Sequence, residues 1–206
     1  MVISIQKLIP LSKQNVQEAA ETLAAAFEDF PLFTFLLPEK RNRLEKLKVI
    51  FEGYVRHGLR YGQVYATSLK HEGVAVLYNY EEINTSLFAY FRCGMFKFIR
   101  KLGLKDSLRF VKITDYMLEL HEKKMVEPHW YIGPFGVDPL YQRKGYGTFL
   151  VNEIVKITKN ENWPYYLETN KEENVDFWRR FGFEVVELGI IPNSDVKNWC
   201  MVKKVT

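Results

Sequence analysis

A mixed α/β sheet flanked by helices is the fold class predicted by the 206-residue sequence, on three observations. Apolar residues recur at helical spacing in some segments, as in Val16, Ala19, Ala20, Leu23, Ala24 and Phe27, whereas runs such as Gly73 to Tyr78 are short and apolar or β-branched. The two kinds of segment interleave along the chain instead of separating into halves. The apolar run Trp130 to Val137 contains Gly133, Pro134 and Gly136, too irregular for an ordinary central strand, and a small-residue loop that opens a helix follows it.

Taken in order, Val2 to Leu8 alternate as an opening strand, and Ser12 is placed to cap the first helix. A break at Asp29 to Pro31 leads into an aromatic segment with Phe30, Phe33 and Phe35. Pro38 then starts a second helix carrying Leu44, Leu47, Phe51, Tyr54 and Val55 on one side. Gln63 to Leu69 and Gly73 to Tyr78 read as an antiparallel hairpin. Residues 86–124 read as two helices divided near Gly103, an insertion expected to cover the active site. The helix opened by Gln142 to Gly147 stops before Pro164, and Tyr165 to Thr169 is the next strand. A helix from Asn174 to Phe181 ends at Gly182, and strands over 183–190 and 197–205 close the chain. With 47% hydrophobic residues the chain can bury a sizeable core, and residues 1–206 read as a single domain.

The composition excludes several classes. A net charge of +4 with acids and bases interleaved argues against nucleic acid as partner. No apolar stretch reaches the roughly 20 residues of a membrane span, and the N-terminus lacks the apolar block of a secretory signal, so no membrane partner and a cytoplasmic location are expected. Lys97 to Lys112 reads as a solvated amphipathic helix. Cys93 and Cys200 have no ligand or disulfide spacing, and no metal is expected. His129 is read as structural.

A helix N-terminus presents unpaired N–H groups and partial positive charge, and small residues there let the backbone approach an anion. Gly145 and Gly147 meet that need, and Arg143 and Lys144 add charge beside them, which suits a diphosphate. By itself this pattern is also that of a plain strand-to-helix turn. The whole stretch Gly136-Val137-Asp138-Pro139-Leu140-Tyr141-Gln142-Arg143-Lys144-Gly145-Tyr146-Gly147, however, resembles the acetyl-CoA motif of the GNAT N-acetyltransferases. Tyr166-Leu167-Glu168-Thr169, then Asn174 to Trp178 and Gly182-Phe183, resemble the next strand and helix of that family. The Phe27 to Pro38 corner and Trp199-Cys200-Met201 are similar to the branch containing puromycin N-acetyltransferase.

The resemblance implies a GNAT-like acyl-CoA N-acyltransferase fold with its acetyl-CoA core at about 130–186. It implies that the backbone of Phe135, Gly136 and Val137 meets the pantetheine arm and thioester. The amides from Gln142 through Arg143, Lys144, Gly145, Tyr146 and Gly147 to Thr148 would hold the pyrophosphate, and Asn174 and Trp178 would contact the cofactor. An amine near pKa 10.4 must lose a proton to react, and Glu168 is the candidate base, with a strand carboxylate paired to Lys or Arg as the alternative. Trp178 departs from the family's usual Tyr, the residue that would protonate the leaving thiolate. Tyr131, Tyr141, Tyr146, Tyr165 and Tyr166 read as packing. Asp29, Phe30 and Phe33 are candidates to meet the acceptor. The expected activity is direct acetyl transfer to a primary amine of a small molecule in a ternary complex. A peptide or protein amine and a non-catalytic acyl-CoA-binding module stay open, as does a homodimer.

Overall fold

The computed structural model describes residues 7–80, 89 and 92–204. Its centre is one seven-stranded mixed sheet in the order β1-β2-β3-β4-β5-β7-β6. The strands are β1 (Ile9–Pro10), β2 (Gln63–Ala66), β3 (Gly73–Asn79), β4 (Trp130–Val137), β5 (Tyr165–Thr169), β6 (Glu184–Ile190) and β7 (Lys197–Lys203). β4 and β5 are parallel, and every other neighbouring pair is antiparallel. The helices are α1 (Val16–Phe27), α2 (Pro31–Leu36), α3 (Lys40–Tyr61), α4 (Met95–Leu102), α5 (Leu104–Lys124), α6 (Tyr146–Ile157) and α7 (Glu172–Arg179).

Strand alternation divides the core into two layers. Val74, Val76 and Tyr78 of β3 pack with Leu23 of α1 and Phe51 and Val55 of α3 on one face. Ala75 and Leu77 pack with Leu150 and Ile154 of α6 on the other. The alanines at 19, 20 and 24 let α1 lie close to the sheet, and a Cβ at Gly136 would stand 2.8 Å from Ala26 Cβ. Gly136 is therefore needed for this helix-on-strand contact and stays paired with Val74. The irregularity of β4 lies at Gly133 and Pro134, where the register with β3 shifts between Ala75 and Leu77.

Several expected elements differ in detail. The opening strand lies largely outside the described residues, which show only Ile9–Pro10 pairing with β2. Ser12 caps a single 3₁₀ turn through a box with Asn15, and α1 continues from it. The aromatic segment after Asp29 is itself helical, because Pro31 occupies the first position, where its missing N–H costs nothing. β2 ends at Ala66, and Leu69, 80% exposed, belongs to the turn. The basic stretch is two helices, broken where Gly103 takes φ 83°. Tyr90, Phe91 and residues 86–88 lie outside the described residues.

Candidate active site

Only Trp130↔Tyr165 and Tyr131↔Tyr166 pair β4 with β5, and beyond them the two strands diverge. The β4 backbone past Tyr131 thereby loses its sheet partner on the β5 side and faces a cleft. Glu168 follows Tyr166 by two residues, on the same face of β5, so its carboxyl enters the gap beside the last paired tyrosines. Tyr131 Oη donates to Glu168 Oε2 at 3.0 Å and Tyr166 Oη to Oε1 at 2.9 Å.

Burial pushes the Glu168 carboxyl up to about 7, and the two phenol hydrogen bonds hold it from rising further. Burial, with the Glu168 charge behind it, also raises both phenols, so they remain donors. The Cys200 thiol beside Tyr166 is pushed by burial up to about 11 and is a poor nucleophile at neutral pH.

Two openings meet at Glu168. The larger, a cavity of about 100 Å³, lies between the α1–α2 corner, α3, α5 and the start of the β4–β5 split; Phe30 and Phe33 are in its wall. The smaller runs along the split to Phe135, Thr169, Asn174 and Trp178. Phe27, Phe30, Ile132, Gly133 and Glu168 border both. Asn174 Nδ2 donates to Thr169 Oγ1 at 3.3 Å, and the Trp178 ring is buried against Phe135, Phe177 and Phe183.

At the end of β4 the chain turns into α6 through fixed contacts. Asp138 N donates to the Glu72 carbonyl, Asp138 Oδ1 accepts from Leu140 N, and Gln142 Nε2 donates to the Val137 carbonyl at 2.9 Å. Arg143 and Gly145 take φ 57° and 92°, and α6 begins at Tyr146, so the amides of Tyr146, Gly147 and Thr148 are first-turn donors without intrahelical acceptors. Tyr146 Oη reaches Glu72 Oε1 at 3.4 Å. Burial works to raise Glu72, but hydrogen bonds from Ser68, its own backbone, Thr67 and Tyr146 outweigh it and keep the carboxyl below its ordinary value. Lys144 turns to the Leu140 carbonyl at 2.7 Å. This cradle of turned backbone and helix N-terminus fits a diphosphate.

Asp29 stands apart from both openings. Its side chain is 74% exposed and pairs with Arg43 at 3.5 Å and Lys40 at 3.9 Å. The sequence offers it as an acid beside the aromatic corner that could attract a cationic amine; Pro31 turns the chain inward and leaves Asp29 on the outer corner, paired with Arg43 and Lys40.

Sequence reasoning missed the hydrogen bonds of Tyr131 and Tyr166 to Glu168. The alternation of β5 puts Tyr166 and Glu168 on one face, a signal that was present, whereas Tyr131 joins them only through the register of β4. It also missed the pairing of His121 with His129, whose Nε2 atoms lie 2.6 Å apart. His129 Nδ1 donates to the Glu127 carbonyl at 2.7 Å, so its Nε2 accepts from His121 Nε2–H and His121 Nδ1 keeps a buried lone pair. Burial, then His129, lowers His121 to about 4, and burial lowers His129. The His121 ring packs on Tyr166 and Tyr131, at 4.6 and 4.8 Å between centroids.

Among the described residues no helix is long and apolar enough to cross a membrane. Residues 107–183 match the model of the acetyltransferase (GNAT) family. An uncharacterized N-acetyltransferase of Schizosaccharomyces pombe is 25% identical over 178 residues, covering 82% of this chain and 71% of its own. Among solved structures, a Corynebacterium glutamicum protein described as histone acetyltransferase HPA2 and related acetyltransferase superposes with a TM-score of 0.63 at 17% identity, over 97% of this chain and 96% of its own. Arylalkylamine N-acetyltransferase 2 of Aedes aegypti does so with a TM-score of 0.61 at 14% identity, over 97% and 99%. At those identities the two structures share the fold. The family match, the GNAT fold and the curated relative together support the chain as a GNAT N-acetyltransferase.

Proposed function

We propose that the protein moves an acetyl group from acetyl-CoA to the primary amine of a small molecule by direct transfer in a ternary complex. The observation that carries this reading is the position of Glu168, which borders both the opening along the β4–β5 split and the larger, mostly apolar cavity that adjoins it.

In this reading the donor supplies an activated acetyl thioester. The α6 amides and the turn at Gln142 to Gly145 hold its pyrophosphate, the unpaired edge of β4 from Gly133 to Val137 holds the arm, and Asn174 and Trp178 close the far side. Each Glu168 oxygen receives one phenol and has a further lone pair for an amine N–H. With its pKa near 7, the carboxylate is ionised in a large fraction of molecules at neutral pH and accepts a proton from the acceptor's ammonium, which frees the neutral amine to attack. Trp178 has no acidic proton to give, so the thiolate, with an ordinary thiol pKa of about 8.5, leaves without that acid.

The test is release of free CoA thiol from acetyl-CoA with and without each of a panel of amines that includes puromycin, whose acetyltransferase the chain termini resemble, and a lysine peptide. Amine-dependent release that is lost in Glu168→Gln supports the reading. CoA binding with no release from any amine supports instead a non-catalytic acyl-CoA-binding module, which Trp178 favours.

A further inference from the structure

We infer that the acceptor is a primary amine on an apolar, preferably aromatic, body with no second charge. The inference rests on the transfer reaction proposed above and names its substrate class.

The cavity beyond Glu168 is walled by rings and aliphatic chains. Phe27, Phe30 and Phe33 come from the α1–α2 corner, and Tyr54 packs its ring between Phe51 and Phe110. The roof is one face of α5, on which Phe110, Ile113, Thr114 and Met117 recur at helical spacing. Among the described residues that border the cavity, Glu168 alone carries a charge.

The polar side chains there are engaged already. Tyr131 donates to Glu168, Thr114 Oγ1 donates to the Phe110 carbonyl at 3.0 Å, and Asn170 Nδ2 serves the Lys197 carbonyl at 3.0 Å and Asn198 Oδ1 at 2.9 Å. One ammonium meets one carboxylate, and π faces beside it add attraction for that same cation. A second ammonium would leave water for a wall that holds no second carboxylate, and a peptide backbone entering behind the amine would meet mostly rings and aliphatic chains. The cavity therefore selects by subtraction: it matches the charge at one end and desolvates the rest.

A matched pair of acceptors tests this, because 1-aminohexane and 1,6-diaminohexane have the same length and similar amine basicity. Thiol release is measured for both, for 2-phenylethylamine and for a lysine peptide, with CoA binding followed separately by calorimetry. The expected result is kcat/KM for the two monoamines higher than for the diamine and the peptide by on the order of 100-fold. Met117→Glu, which adds a second carboxylate to the roof, is expected to narrow the gap for the diamine by about tenfold. Its folding is checked by circular dichroism, and the wild-type panel decides the matter without it. Equal or better turnover of the diamine or the peptide overturns the substrate class and leaves acetyl transfer standing. CoA binding without release from any amine overturns both.

Discussion

Tyr131 Oη stands 3.0 Å from Glu168 Oε2 and ties β4 to β5 at the point where their pairing ends. A hydrogen bond at that position holds the proposed base, Glu168, at the mouth of the strand split, and it also favours the ionised carboxylate against the burial that opposes it. The first prediction concerns the proposed base itself. Glu168→Gln keeps the shape and an oxygen for one phenol, turns the other contact into a donation from its NH2 to the phenol oxygen, and cannot accept a proton. We expect kcat to fall by about 10²- to 10⁴-fold with the Kd for CoA unchanged. Wild-type kcat should decline as pH falls through about 7, as the carboxyl is protonated, and that acid limb should vanish in the variant. Stopped-time thiol assays across pH 5.5–9 check both.

Tyr131→Phe removes one of the two donors to the charged form. The Glu168 pKa then rises, and the acid limb of kcat moves above its wild-type position near pH 7, with a loss of activity at pH 7 that higher pH restores. A merely structural role for Tyr131 would lower activity at all pH values alike, which the profile distinguishes.

Stability should carry two opposing pH dependences. Glu168 has a folded pKa near 7, above its ordinary 4.5, so its burial costs nothing below pH 4.5 and destabilises increasingly as pH rises to 7, by about 3 kcal/mol when complete. His121, lowered from 6.5 to about 4, has the opposite sign: its contribution is full above pH 6.5 and is lost as pH falls toward 4, again by about 3 kcal/mol. Across about pH 4.5–6.5 the two slopes offset, and His129, also lowered, leaves a mild net loss on acidification. Melting temperatures should therefore fall more steeply with acid in Glu168→Gln than in wild type, and rise toward pH 5 in His121→Phe, which keeps a ring against Tyr131 and Tyr166 without titrating.

What the sequence disclosed followed the range of each interaction. Strand β5 was read to the residue because Tyr165 and Thr169 bound a compact run between Pro164 and a polar turn. The division of the long helical region was readable because Gly103, which takes φ 83°, stands between two helical patterns. The distortion of β4 was expected from Gly133, Pro134 and Gly136 together. The fold separates them: the first two mark the register shift, and Gly136 yields space to Ala26, a contact 110 residues away in the chain. Glu168 is a candidate through resemblance, whereas its environment is not legible in the sequence. Neither the Tyr131 phenol nor the Phe110 and Met117 wall is local to β5, and no periodicity links α5 to a strand.

The turn before α6 carries the last prediction. Gly145 sits at φ 92°, a conformation that costs an L-residue about 1–2 kcal/mol, and the amides that follow it are the proposed pyrophosphate donors. Gly145→Ala should either lower the melting temperature by that strain or relax the turn and tilt the first-turn amides. If the turn relaxes, CoA affinity, measured by calorimetry, should drop by about tenfold, and 3′-dephospho-CoA, which keeps the diphosphate, should lose affinity in the same proportion; if the turn holds, the melting temperature falls and affinity stays. A variant with wild-type melting temperature and wild-type CoA affinity would remove the turn from the cofactor site. The amine preference, set at the far side of Glu168, should be the same in the variant as in the wild type, because no residue of the turn borders the larger cavity.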